Sequence, residues 1–235
     1  MTLNAAALAI DESLTEVRGA LTDLGTQLRA LHAVGFFGPE HLPEMSRQLE
    51  GVARRALGAP DRIIAGAGVA WETGGEPGQS GMLWWRADLG VVTQKIHVDN
   101  PDSDSFYDFT HSEWYTRAVE THELVVVGPF IDAWGTDDHT LTPSIVVEAE
   151  TGVRLGVAAA DLDVSRATDR LSRVLEPFGA DLILVNDEDQ VIVANDPILT
   201  SGLRLAPFLA RRGLRVAESA DVPVHGWRVL SFASR

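Results

Sequence analysis

Seven apolar residues at alternating spacings of four and three open the chain: Ile10, Leu14, Val17, Leu21, Leu24, Leu28 and Leu31. In a helix that spacing returns to the same side every two turns and lays down one apolar stripe. The reading is a single long helix over the first 35 residues, closed by Gly35. A helix of that length with one stripe has to bury it, either on the chain's own sheet or on a second copy. A homodimer through Ile10–Leu31 is therefore one expected arrangement. A second helix starts near Pro39 and carries Leu42, Met45, Leu49 and Val52 at helical spacing.

The helices must cover something large. At 235 residues and 45% hydrophobic composition the chain can bury a sizeable core. No apolar run approaches the roughly 18–20 residues of a membrane span; the longest interior candidate is Leu124 to Ile131. The apolar patch Ala5 to Ile10 follows no basic residue and runs into Asp11-Glu12, unlike a signal peptide. With no cysteine, disulfides, thiolate metal sites and a cysteine nucleophile are excluded. These features lead to the expectation of a cytoplasmic, soluble chain.

Downstream the periodicity changes from helix to strand. Ile63 to Trp71, Met82 to Leu89 and Val91 to Val98 read as strands, with a Gly/Pro-rich turn at 74–78 between the first two. A short helix, Ser112 to Glu120, precedes three more strands: Leu124 to Ala133, Leu141 to Glu148 and Arg154 to Leu162. The last two are joined by a turn through Glu150-Thr151-Gly152. A helix over Ser165 to Leu175 takes Ser165 as its N-cap. The tail offers a hairpin (Leu182–Val185 and Val191–Ala194), a short arginine-bearing helix and a last strand, Trp227 to Phe232. The fold class is α+β, with helices before and after a mainly antiparallel sheet. The divisions are residues 1–58 (N-terminal helices), 59–179 (the sheet domain) and 180–235 (a hairpin, helix and strand packed on the same domain).

Charge narrows the partners. The formal net charge of −15 disfavours nucleic acid and anionic lipid. Between Asp99 and Asp163, fourteen acidic residues face only Arg117 and Arg154, a local charge of −12, whereas the stretch from Ser201 onward carries +4. An acidic middle segment is either a solvated face or a cavity suited to a cation.

Most catalytic patterns are missing. Gly66-Ala67-Gly68 lacks the third glycine and the following helix of a dinucleotide site, and Lys95, the sole lysine, sits in no phosphate-binding loop. Asp102-Ser103-Asp104 begins like a calcium loop, but Phe106 and Tyr107 fall where an oxygen ligand and a glycine are needed. His111, Glu113, His122 and His139 have no zinc spacing, and Gly78-Gln79-Ser80-Gly81-Met82 is no nucleophile elbow. No catalytic residue, metal or cofactor is expected. The one enzymatic alternative is a small hydrolase or isomerase using Asp132 and Asp161 as acid and base.

One constellation stands out. Aromatic and acidic residues interleave at Phe106-Tyr107-Asp108, Trp114-Tyr115, Gly128-Pro129-Phe130-Ile131-Asp132-Ala133-Trp134, Thr140-Leu141-Thr142 and Gly156 to Asp161. Ring faces and carboxylates together suit a small amine or cation. The alternative is a plain core with aspartates at turns and edges.

In order and spacing these elements resemble the Cache family of PAS-like, PDC-type sensor domains, over roughly residues 60 to 200. Trp84-Trp85 on an early strand and Val185-Asn186-Asp187 before Val191 to Ala194 agree with it. The resemblance implies a long helix packed on a PAS-like antiparallel sheet, with a small molecule held between the sheet and its covering loops and no chemistry done on it. It implies ligand contacts from Tyr107, Asp108, Trp114, Tyr115, Asp132, Trp134, Thr142 and Asp161. In amino-acid-binding members an arginine stands two positions before the tryptophan; here that position is Ser112. The departure points to a neutral or cationic, amine-bearing ligand rather than a standard α-amino acid. Cache domains usually precede membrane-spanning and signalling segments, which this chain lacks, so output is expected through a separate protein. The tail looks like a short, incomplete second α/β unit.

Overall fold

The computed structural model describes residues 2–58, 62–72, 80–97, 103, 107–131, 139–179, 181–196 and 198–234. The N-terminal stripe forms two helices rather than one, α1 (Leu3–Ser13) and α2 (Thr15–Ala33). They meet at Leu14, whose N–H donates to Asp11 O at 3.0 Å in a tighter turn. The hydroxyls on either side, Ser13 to Ile10 O (2.6 Å) and Thr15 to Glu12 O (2.7 Å), take carbonyls of the preceding turn and favour a bend there. α3 (Leu42–Leu57) follows a single 3₁₀ turn at Pro39–His41.

The first sheet contains β1 (Ile64–Glu72), β2 (Ser80–Asp88), β3 (Val91–Lys95), β4 (Val125–Ile131), β5 (His139–Glu148) and β6 (Arg154–Asp163). Its order is β3-β2-β1-β6-β5-β4, antiparallel throughout. Between β3 and β4 lies α4 (Glu113–Thr121), and α5 (Val164–Leu175) continues directly from β6. Asp163, not Ser165, caps α5: its carboxylate accepts the Arg166 N–H at 3.0 Å, which starts the helix one residue earlier.

The tail builds a second antiparallel sheet, β8-β7-β10-β9, from β7 (Ile183–Val185), β8 (Val191–Ala194), β9 (Leu214–Asp221) and β10 (Arg228–Ser234), with α6 (Leu205–Arg212) before β9. β9 is an addition to the three pieces expected from sequence. This unit has its own small core, including Ile183, Val185, Val191, Phe208 and Leu230.

The bend at Leu14 lies where the N-terminal segment passes from one sheet to the other. α1 packs on α5, β9 and β10, while α2 packs on α3, β1, β5 and β6. Ile10, Val17, Leu21, Leu24 and Leu28 are completely buried inside a core shared with Val69, Trp71, Trp85, Leu141 and Trp227. The chain's own sheets cover the stripe, so it leaves no apolar surface on which a second copy could dimerise. Leu8 and Val34, off the stripe, are exposed.

Strand periodicity then divides the first sheet into two unlike faces. Ala67, Val69, Trp71, Leu83, Trp85, Ala158, Ala160 and Leu162 point to the helices. Their alternates, Ala70, Trp84, Val157 and Ala159, point the other way and pack with Phe109, Trp114, Tyr115 and Ala118 under α4.

Candidate functional site

The second face is where the sequence-predicted residues gather. α4 is fastened to it by its backbone: the buried Ser144 hydroxyl of β5 donates to the Trp114 carbonyl at 2.7 Å. Trp114 thereby lies against Trp84 (ring centroids 6.3 Å apart) and Phe109 (6.5 Å). Its indole N–H donates to the Tyr107 hydroxyl at 3.0 Å, and that hydroxyl sits 3.1 Å from Ser112 Oγ. Tyr107, Ser112 and Trp114 form one polar corner, in which Ser112 is short and uncharged.

That corner borders a cavity of about 480 Å³ between the start of α4, β4 and the β7–β8 turn. Val127, Phe130 and Arg117 line it from the first unit and Asn186 and Gln190 from the second. Arg117 spans the junction, pairing with Glu113 at 2.9 Å and with Asp187 of the β7–β8 turn. Asn186 donates to Gly128 O at 3.0 Å.

A second hollow, about 430 Å³, lies over the β1, β2, β5 and β6 end of the same face. Gly66, Arg86, His139, Thr140, Asp161 and Asp163 are among its lining residues. The buried Thr142 hydroxyl donates to Asp161 Oδ1 at 3.0 Å and fixes the carboxylate's orientation. The glycine at position 66 lets the Trp84 indole and the Asp161 carboxylate settle onto β1: a Cβ there would come 2.8 Å from Trp84 Nε1 and 3.2 Å from Asp161 Oδ2. At Gly68 a Cβ would meet Leu83 O at 2.1 Å, so the Trp84 ring can lie flat only over bare backbone. The two glycines of the Gly66-Ala67-Gly68 run, discarded as a phosphate loop, give the Trp84 ring its seat beside this hollow.

The sequence-predicted ligand contacts therefore divide. Tyr107 and Trp114 line the first cavity; Asp161 lines the second, with Thr142 behind it. Asp132 and Trp134 lie outside the described residues. Asp108 lines neither hollow. It caps the 3₁₀ turn Phe109–His111, accepting the Thr110 N–H at 3.1 Å, the Thr110 hydroxyl at 2.6 Å and a contact from His111 Nδ1 at 2.8 Å. The Thr110 hydroxyl first, and then His111, outweigh slight desolvation and hold this carboxyl below its usual range. Its role is local, as expected of an aspartate two residues before a polar donor.

Tyr115 also departs from expectation. Adjacent helical residues point about 100° apart, so with Trp114 toward the cavity Tyr115 turns into the apolar cluster, its ring at 86° to Trp114. Its hydroxyl is buried with no hydrogen-bond partner among the described residues. Desolvation, reinforced by the Glu72 charge, pushes its pKa up to about 12. Of the two rings, Trp114 lines the first cavity and Tyr115 does not.

Sequence reasoning passed over Arg86. It lies outside the segment whose charge was counted, yet β2 delivers it to the same face as Asp161. The available signal was the alternation within β2, which puts Met82, Trp84 and Arg86 on one side. His97, just beyond β3, stacks 6.1 Å from Tyr107, and burial, with Lys95 nearby, lowers its pKa to about 4.

This architecture is the Cache, PDC-type sensor fold: helices packed on one face of an antiparallel sheet, a roofed pocket face opposite, and a second sheet beyond. The ligand-binding domain of the amino acid chemoreceptor PctC of Pseudomonas aeruginosa PAO1, in complex with GABA, superposes with a TM-score of 0.59 at 22% identity, over 97% of this chain and 96% of that one. The ligand-binding domain of the Pseudomonas fluorescens chemoreceptor CtaA, with L-valine, gives 0.63 at 14% identity over 97% and 92%. That of the Campylobacter jejuni chemoreceptor Tlp3, with L-norvaline, gives 0.62 at 10% over 99% and 89%. No family model matches the chain. The likeness runs over both sheets, beyond the residues 60–200 on which the sequence resemblance rested. Among the described residues no helix is long and apolar enough to cross a membrane.

Proposed function

We propose that this chain is a Cache-like module that binds a small, polar, amine-bearing metabolite reversibly and makes its occupancy available to a signalling or regulatory partner. The observation that carries this is Asp161: a carboxylate oriented by Thr142 on the lining of the 430 Å³ hollow, with the Trp84 indole packed over the adjoining Gly66. A carboxylate held in place beside an indole is a ready acceptor for an ammonium group. Three proteins of the same fold are described with GABA, L-valine and L-norvaline, all small and amine-bearing. The local charge of −12 in the middle segment favours approach of a cationic group.

The acid–base alternative with Asp132 and Asp161 has no comparable support. Asp161 is engaged by Thr142, and the related structures are ligand-binding domains. The test is calorimetry of the full chain against amino acids, polyamines and simple carboxylates. Saturable binding of amine-bearing compounds without turnover is expected, and tight binding of a plain dicarboxylate, insensitive to Asp161→Ala, would falsify the reading.

A further inference from the structure

The turn between β7 and β8 carries three consecutive acids, and each holds an arginine from a different part of the chain. Asp187 takes Arg117 of α4 through two guanidinium N–H groups, one on each carboxylate oxygen, the longer at 3.3 Å. Glu188 takes Arg204, just before α6, at 3.2 Å, and Asp189 takes Arg228, the first residue of β10, at 2.6 Å. The turn is braced from inside. Asn186 Oδ1 accepts the Glu188 and Gln190 N–H groups at 3.0 and 2.9 Å.

Of those arginines, Arg117 comes from the first unit. It lies on α4, which packs chiefly on β4, β5 and β6 and is tied to β5 by the Ser144–Trp114 bond. Its side chain is 19% exposed, so the pair with Asp187 is shielded as surface ion pairs are not. Gly226, two residues before β10, closes against the pair. Its φ is +79°, and a Cβ there would come 3.1 Å from Asp187 Cγ and 3.3 Å from Arg117 Nη2. α4, the acidic turn and the approach to β10 meet at this point.

We propose that the acidic turn is a mechanical link, passing a displacement of α4 to β10 in the second sheet through Arg117, Asp187 and Gly226. The inference goes beyond the binding reading and depends on no particular ligand. It gives the C-terminal unit a task, sensing the position of the helix that borders the first cavity.

The physical argument is stiffness. A two-point guanidinium–carboxylate contact resists rotation as well as stretching. Glu113, one turn earlier on α4, grips the same guanidinium at 2.9 Å and ties Arg117 to its own helix. The close approach at Gly226 leaves the pair little room to move without moving the residues before β10.

The experiment is amide hydrogen exchange of the full chain, resolved residue by residue by NMR, with no ligand added. Ser144→Ala removes a bond that holds α4 to the sheet and should speed exchange of the Tyr115 to Ala118 amides about fivefold. The same substitution should speed the Glu188, Gln190 and Trp227 amides about twofold or more. In an Arg117→Gln background it should still loosen α4 but leave those three unchanged, and in a Gly226→Ala background it should leave Trp227 unchanged. No response at the three amides in the Ser144→Ala chain, or a full response in the Arg117→Gln background, overturns the link. A full response of Trp227 past Gly226→Ala overturns its last step. Thermal unfolding of each variant checks folding, and Phe109→Leu, which thins the cluster beneath α4, supplies the perturbation if Ser144→Ala does not fold. A helix that neither substitution loosens is not a moving part, and that result also overturns the link. The amine reading is tested separately by calorimetry and stands or falls apart from these results.

Discussion

The two faces of the first sheet come from the same strands and differ in what they carry. On the helix side successive inward residues are large or close-fitting: Val69, Trp71, Leu83, Trp85 and Leu162, all buried against α2 and α3. On the other side the same strands present Gly66, Gly68, Trp84, Arg86, Thr142, Ser144 and Asp161. One face is filled by packing; the other borders two hollows and carries hydroxyl and charged side chains. Stability resides mostly in the first and the proposed recognition in the second, and a one-residue step along a strand crosses from one to the other.

The largest expected effect tests the packed face. Trp85→Ala should cost about 3–5 kcal/mol of folding stability, read by chemical denaturation, since it removes a fully buried indole. A loss under about 1 kcal/mol would mean that the helix side is not the source of stability. Asp161→Ala, on the opposite face, should leave folding within about 1 kcal/mol but weaken binding of an amine-bearing ligand by about 2 kcal/mol, measured by calorimetry. If stability falls as far as for Trp85→Ala, the two faces do not divide the work as described.

His97 gives a pH-dependent version of the contrast. Its folded pKa, about 4, lies below the ordinary 6.5 because of burial and then Lys95. The unfolded chain therefore binds more protons between those values, and stability should be complete above about pH 6.5 and decline as pH falls toward 4. After discounting for partial exposure the contribution is roughly 2 kcal/mol. His97→Gln should flatten that part of a stability–pH profile, and an unchanged slope would exclude His97 as its source. The smallest effect is expected at Tyr115→Phe: its buried hydroxyl has no partner among the described residues, so stability should move by no more than about 0.5 kcal/mol and ligand affinity not at all. A tenfold loss of affinity would return Tyr115 to the site.

The ordered aromatic and acidic motifs and the heptad stripe were sufficient for the sensor-like α+β fold, because period and spacing are local properties of the chain. The strands around them were legible for the same reason. β9 was not: Leu214–Asp221 has no alternating apolar pattern, most of its residues are exposed, and it becomes a strand through pairing with β10. The division of the N-terminal stripe at Leu14 also depends on context, since α1 and α2 pack on different sheets.

For the site, the sequence by itself determined which residue types were on offer: Tyr107, Trp114, Thr142 and Asp161 were all singled out before any coordinates. Tertiary structure decided which of them share a space. Helix rotation turned Tyr115 away from Trp114, a local cap occupied Asp108, and strand register set Arg86 opposite Asp161 with Gly66 between. Counting charge along the chain could not show this last pairing. Residues 75 positions apart in sequence become neighbours on a sheet only when the backbone ladder fixes who lies beside whom, and the field at a site is the sum over those neighbours.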